Sequence, residues 1–131
     1  MERIRILLAD DDVPMLTATS KLLQADFVVV AMVSDGHSLV EAALKLHPDV
    51  IVTDISMPKL NGIEAVRTIR SSLPRIKCIF LTMHAASGYR REAQCVGAAA
   101  YILKSSAREE LKPAIYHAME GSAYTGSGRN T

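Results

Sequence analysis

Short, mostly apolar segments recur along the chain at nearly regular spacing. Most of them are rich in β-branched residues and lack the alternation of a half-exposed strand, which is typical of strands covered on both faces. The segments are Ile4–Ala9, Phe27–Val33, Asp49–Thr53, Ile76–Thr82 and Ala99–Leu103. The pattern therefore predicts a parallel sheet buried between two layers.

Longer segments with helical periodicity separate the predicted strands. They are Pro14–Gln24, Ser38–Leu46, Asn61–Ser71, Ser87–Val96 and Ala107–Glu120. This alternation predicts a (βα)₅ α/β domain, a doubly wound open parallel sheet of five strands with helices on both faces. A Gly- and Ser-rich stretch without a hydrophobic pattern follows, so residues 1–120 are predicted to form the domain and residues 121–131 a linker or flexible tail.

Three details of the helices are also predicted. In the first helix, Met15, Ala18, Leu22 and Leu23 fall on one face, which is expected to pack against the sheet. In the second, Ser38 and Glu41 have the spacing of a capping box. In the last, Pro113 predicts a kink or a late start, because an interior proline removes a hydrogen bond.

Length, charge and composition limit the classes of protein to which this chain can belong. The 131 residues suffice for one domain, and the formal net charge of +1 provides no field that would favour nucleic acid or an anionic membrane. No signal-peptide pattern and no membrane-length apolar run is present, so a cytoplasmic protein is expected. Cys78 and Cys95 lie in apolar stretches without a metal-binding spacing, which predicts buried reduced thiols.

Polar side chains follow the predicted strands at the points where the strands end. Asp10, Asp11 and Asp12 follow the first strand, and Asp54 follows the third. Because the carboxyl ends of parallel strands meet at one edge of a sheet, these acids are expected to lie together. Oxygen ligands without Cys or His favour Mg²⁺ over zinc. The alternative is a solvated acidic turn that caps the first helix.

Asp54 is the candidate nucleophile. A carboxylate beside a metal ion can attack phosphorus in line and form an acyl phosphate, and it needs no general base because it is already ionised at neutral pH. Thr82, at the end of the fourth strand, could donate a hydrogen bond to a phosphoryl oxygen. Lys104, after the fifth strand, could supply a positive charge.

The segments ILLADDD, DVIVTDISMPKLNGIEAV, CIFLTMH and GAAAYILKSS together resemble the receiver domain of two-component response regulators. The resemblance covers about residues 4–120, and it implies the flavodoxin-like strand order 2-1-3-4-5. The family's acidic pair falls on Asp10 and Asp11, with Asp12 beside them in the acidic pocket. Its phosphoacceptor falls on Asp54, and a metal-ligating backbone carbonyl falls on Ser56.

The resemblance also implies a conformational switch. Thr82 matches the switch hydroxyl, Lys104 the phosphate-contacting lysine and Tyr101 the switch aromatic residue. Two positions depart from the family pattern. Met83 replaces a small residue and is expected to crowd the phosphoryl site, whereas Ser105 replaces a proline, which puts the usual cis peptide in doubt.

LTMH, KSSAREEL and HAMEGSAYTG resemble the NarL/LuxR-type branch, whose members carry a helix-turn-helix effector after the receiver. The implied partners are a sensor histidine kinase, a second copy of the chain after phosphorylation, and DNA through an effector that this chain lacks. No membrane partner is implied. The resemblance describes a signalling domain that catalyses only its own phosphorylation and dephosphorylation.

Two other functions fit the sequence less well. A haloacid-dehalogenase-type phosphohydrolase would carry a second Asp two residues after the nucleophile, where this chain has Ser56. A receiver-shaped interaction module that no longer accepts phosphate would have lost an acid or the lysine, and this chain keeps them all.

Overall fold

Strands and helices alternate throughout the part of the chain that the computed structural model describes, residues 3–83 and 89–121. The strands are β1 (Arg5–Ala9), β2 (Val28–Val33), β3 (Val50–Asp54), β4 (Lys77–Thr82) and β5 (Ala100–Leu103). The helices are α1 (Val13–Leu23), α2 (Gly36–Leu46), α3 (Gly62–Ser72), α4 (Arg90–Cys95) and α5 (Ala107–Glu120), and a 3₁₀ turn at Lys104–Ser106 precedes α5. Each strand begins and ends within one residue of the predicted position.

The strands form one sheet in the order β2-β1-β3-β4-β5, and every pairing is parallel. This is the flavodoxin-like order, and it confirms the predicted doubly wound fold. The central strands read as continuous apolar runs because both of their faces are covered. Among the described residues, no helix has both the length and the apolar character needed to cross a bilayer.

The hydrophobic core lies in two layers, one on each face of the sheet. Alternate residues of each strand enter opposite layers, as the twofold repeat of a strand requires. In β4, for example, Phe80 packs with residues of α2, α3 and α4, whereas Ile79 packs with residues of α1 and α5. The layers fix the helices against the sheet and leave its carboxyl edge to the loops.

Side-chain caps set the start of three helices. Asp12, Asp35 and Asn61 accept hydrogen bonds from the backbone N–H groups of Met15, Ser38 and Glu64. These bonds satisfy donors that the first turn of a helix leaves without partners. The capping box predicted at Ser38 and Glu41 is therefore wrong, because α2 begins at Gly36 and Asp35 is its cap.

The face predicted for α1 is wrong in part. Leu23 is buried as predicted, but Thr19 and Ser20 are buried as well, while Ala18 is exposed. The hydroxyl of Thr19 donates to the Met15 carbonyl at 2.8 Å, and the oxygen of Ser20 accepts from the Gln24 amide at 3.0 Å. Small polar residues can be buried here because these local bonds satisfy them.

Pro113 lies inside α5, which begins at Ala107, so the helix has no late start. The proline and Glu109, whose carbonyl loses its partner, are both exposed. Water can therefore replace the missing hydrogen bond. The peptide bonds of the described residues are all trans, including the bond before Ser105.

The two cysteines are free, but only Cys78 is buried, and burial raises the pKa of its thiol to about 12. Cys95 is exposed, which corrects the prediction for that residue. The apolar stretch around it turns out to be α4, in which Ala93 is the buried residue. Residues 122–131 of the predicted tail and the predicted start of the fourth helix lie outside the described residues.

Candidate functional site

Three carboxylates converge at the carboxyl edge of the sheet. Asp10 follows β1, Asp11 comes next, and Asp54 is the last residue of β3. One oxygen from each lies within 4.8 Å of the others. The pairing of β1 with β3 brings them together, because Ala9 is in register with Thr53. Asp10 and Asp54 are buried, at 3% and 8% exposure, whereas Asp11 is exposed.

Lys104 reaches this cluster from the turn after β5. Its Nζ lies 3.1 Å from Oδ1 of Asp10 and 3.1 Å from Oδ2 of Asp54, and both oxygens accept hydrogen bonds from it. Nζ also lies 2.9 Å from Oδ2 of Asp10, and the Lys104 side chain is only 7% exposed. The ammonium therefore compensates part of the negative charge of a site that water hardly reaches.

Burial and pairing act in opposite directions on these groups. Burial raises the pKa of Asp54 to about 6, although the hydrogen bond and charge of Lys104 oppose this shift and Asp10 adds to it. For Lys104, burial disfavours the charged form, but the hydrogen bonds and charges of Asp10 and Asp54 outweigh it and raise its pKa. The carboxyl groups of Asp10 and Asp54 thus share a poorly solvated pocket with the Lys104 ammonium.

The oxygens of the site suit a hard cation. Asp10 Oδ1 accepts from the backbone N–H of Asp12 at 2.9 Å, and the buried Asp10 Oδ2 has the Lys104 ammonium 2.9 Å away. One oxygen from each of Asp10, Asp11 and Asp54 fits the few carboxylates that Mg²⁺ takes in proteins.

Asp12 has a different place. Its carboxylate caps α1 by accepting from Met15 N at 3.2 Å, and Asp12 does not belong to the converging set. The helix cap and the acidic cluster that could hold a cation thus lie on neighbouring residues. Ser56 lies two residues beyond Asp54 in the exposed part of the β3–α3 loop, and the role of its carbonyl stays a prediction.

Thr82 and Tyr101 lie on β4 and β5, the two strands that follow β3 in the sheet. Thr82 ends β4, one position beyond the residue paired with Asp54, and Tyr101 of β5 is paired with Phe80. Both are buried, at 7% and 8% exposure. The guanidinium of Arg90 covers the Tyr101 ring, with its carbon 4.6 Å from the ring centroid.

The structure thus brings Asp10, Asp11, Asp54 and Lys104 into direct proximity at the carboxyl edge of the sheet. Thr82 ends β4, whereas Tyr101 lies within β5, and their roles stay predictions. Met83 follows β4 and is 68% exposed, so the predicted crowding of the phosphoryl site stays a prediction. The sequence interpretation missed the contact of Arg90 with Tyr101. It also missed the packing of the β2–α2 turn against the β3–α3 loop. Neither contact can be predicted from the spacing of residues along the sequence.

Comparison with known proteins agrees with this geometry. Residues 6–116 match the family model described as the response regulator receiver domain. The chain is 38% identical over 125 residues to the uncharacterized transcriptional regulatory protein YxjL of Bacillus subtilis, covering 93% of this chain and 57% of that protein. It is 35% identical over 124 residues to the transcriptional regulatory protein DegU of Brevibacillus brevis, covering 93% and 52%.

Among solved structures, a two-component response regulator of the LuxR family from Aurantimonas sp. SI85-9A1 superposes with a TM-score of 0.89. It is 30% identical, and the match covers 96% of this chain and 91% of that one. The chain spans 57% and 52% of the length of the two curated relatives described above. Because the family model spans most of the chain, this protein belongs to the response regulator receiver domain family, with relatives of the NarL/LuxR type.

Proposed function

We propose that this domain accepts a phosphoryl group on Asp54 from a phosphohistidine of a sensor kinase, in a reaction that depends on Mg²⁺. The observation that carries the proposal is the meeting of Asp10, Asp11, Asp54 and Lys104 at one edge of the sheet. Acids alone would repel one another, and the Lys104 ammonium supplies one positive charge beside three carboxyl groups.

The transfer is a displacement at phosphorus. An oxygen of Asp54 forms a bond to phosphorus while the P–N bond to the donor imidazole breaks, and its electron pair stays on the imidazole nitrogen. Lys104 stands 3.1 Å from the Asp54 oxygen and supplies positive charge to the phosphoryl oxygens. Held by Asp10, Asp11, Asp54 and the Ser56 carbonyl, Mg²⁺ would supply further charge neutralisation for the transferred group.

We propose that phosphorylation changes the surface of the domain. A hydrogen bond from Thr82 to a phosphoryl oxygen draws Thr82 inward, and Tyr101 turns into the vacated space. Tyr101 is already covered by Arg90, so its movement must carry or release that guanidinium. The affected face is made by α4, β5 and α5. A homodimer after phosphorylation is a further proposed outcome.

In the whole protein we propose that this switch controls transcription in the cytoplasm. The receiver would occupy residues 1–120, and residues 121–131 would lead to a DNA-binding effector outside this chain. The names of YxjL and DegU as transcriptional regulatory proteins support this proposal. The domain would act as an enzyme only on its own phosphorylation and dephosphorylation. The phosphohydrolase alternative is disfavoured by the serine at position 56.

Acetyl phosphate tests the proposal without the kinase. We expect intact-protein mass spectrometry to show one added phosphoryl group with acetyl phosphate and Mg²⁺, and none when EDTA is present. Asp54→Asn should show no addition. Asp12→Asn is a matched control, because asparagine also caps helices and the residue stands outside the cation set. Undiminished addition in Asp54→Asn would place the acceptor elsewhere.

A further inference from the structure

The β2–α2 turn packs directly against the loop that follows Asp54. Gly36, the first residue of α2, is buried, and a Cβ atom placed on it would lie 1.9 Å from the carbonyl oxygen of Leu60. The Gly36 N–H donates to the carbonyl of Pro58 at 3.3 Å. Since the clash is with backbone rather than with a flexible side chain, only glycine allows the two segments to approach this closely.

A charged contact joins the same two segments. The carboxylate of Asp35 accepts from Ser38 N at 2.7 Å and lies 3.8 Å from Nζ of Lys59. Lys59 itself has a φ of 70°, a conformation that residues with a side chain rarely adopt. The loop is therefore bent back towards the turn at the residue that carries the ion pair.

The other end of the loop is held in a similar way. The N–H of Gly62 donates to the carbonyl of Ile55 at 2.7 Å. A Cβ atom on Gly62 would lie 2.1 Å from the carbonyl oxygen of Asp54. Residues 55–61 are thus fixed between two close backbone contacts, one at Gly62 and one at Gly36.

We infer that Gly36 is a positioning residue for this loop. By allowing the start of α2 to rest on the Leu60 carbonyl, it fixes where the Ser56 carbonyl stands relative to Asp54. A displaced loop would weaken a cation site that uses that carbonyl, while Asp10, Asp11 and Asp54 would keep their places on the sheet. The inference rests on the proposed function, in which the Ser56 carbonyl is a ligand.

The primary test is the Mg²⁺ affinity of Gly36→Ala. The added methyl group must push the loop away, so we expect its Mg²⁺ dissociation constant to rise about 10-fold, as for groups that support metal ligands. Gly97→Ala is the matched control. Gly97 has a φ of 82° and precedes β5, at the opposite edge of the sheet, so alanine there costs stability without touching the loop. Its Mg²⁺ affinity should equal that of the wild type.

Hydrogen exchange gives a readout that needs no metal. The Gly62 amide should exchange faster in Gly36→Ala than in Gly97→Ala, since its bond to the Ile55 carbonyl depends on the loop position. If Gly36→Ala matches the control in both exchange and Mg²⁺ affinity, the inference is refuted. Wild-type protein that neither binds Mg²⁺ nor gains a phosphoryl group would instead refute the proposed function.

Two milder substitutions test the inference if Gly36→Ala does not fold. Asp35→Asn and Lys59→Met break the same ion pair but change the net charge in opposite directions. Asparagine can still cap α2. If the contact positions the loop, both variants should weaken Mg²⁺ binding, by about twofold for a pair whose lysine is exposed. If the Mg²⁺ affinity shifts in opposite directions in the two variants, only the electrostatic field has changed. Such shifts, or unchanged Mg²⁺ affinities, would overturn the inference.

Discussion

At the scale of single residues, Asp54 is held where water stabilises its charge poorly. Burial raises its pKa to about 6, even though Lys104 donates a hydrogen bond to it. For Asp54, the hydrogen bond and charge of Lys104 therefore offset only part of the solvation that burial removes. The ionised form of Asp54 is less stable in the folded domain than in the unfolded chain.

This arrangement predicts a pH dependence of folding in the metal-free protein. The folded-state pKa of Asp54, about 6, lies above the 3.8 of an unperturbed Asp, so the folded state binds the proton more tightly. Protonation of Asp54 therefore stabilises the folded state below pH 3.8, and this stabilisation is lost as the pH rises through about 6. The shift corresponds to about 3 kcal/mol at most.

Urea unfolding in EDTA measures this effect, with Asp54→Asn as the reference because asparagine does not titrate. The wild type should lose free energy of unfolding relative to the variant between about pH 4 and about pH 7. A constant difference across that range would contradict the stated environment of Asp54.

At the scale of elements, the strands were predictable because buried parallel strands read as apolar runs, and the site followed because their carboxyl ends share an edge. The starts of the helices were harder to predict from the sequence. Asp35, rather than Ser38, caps α2, and Ser20 is buried on α1 because a local hydrogen bond satisfies it. Contacts between loops, such as Gly36 on Leu60, involve backbone atoms that no residue pattern encodes.

The contact between α4 and β5 yields a prediction at this scale. Arg90→Ala should remove the guanidinium from the Tyr101 ring and reduce stability by about 0.5–1 kcal/mol. Nitration by tetranitromethane, mapped by peptide mass spectrometry, should increase at Tyr101. Arg91→Ala is the control, since Arg91 is the exposed neighbour on the same helix. Equal nitration of Tyr101 in the two variants would show that Arg90 does not shield the ring.

At the scale of the whole molecule, the strand order joins residues that are far apart in the sequence. Asp10 and Lys104 are separated by 94 positions, yet they form an ion pair across the edge of the sheet. A ligand that binds this edge needs β1, β3 and β5 in their native places. Its binding free energy should therefore add to the stability of the entire domain.

Mg²⁺ should consequently raise the midpoint of thermal unfolding. At about 100 times its dissociation constant, the expected gain in free energy of unfolding is about 2.7 kcal/mol. Asp11→Asn should lose most of this gain, because Asp11 is exposed and belongs to the cation set. Asp12→Asn should retain it. An equal loss in both variants would contradict the separate places of the cation site and the helix cap.

The position of the covalent bond tests the central claim most directly. Borohydride reduces an acyl phosphate of aspartate to homoserine, so the acceptor is marked in the peptide chain. After treatment with acetyl phosphate and Mg²⁺, peptide sequencing by mass spectrometry should find homoserine at position 54 and aspartate at positions 10, 11 and 12. Homoserine at one of those positions, with aspartate retained at 54, would contradict the account.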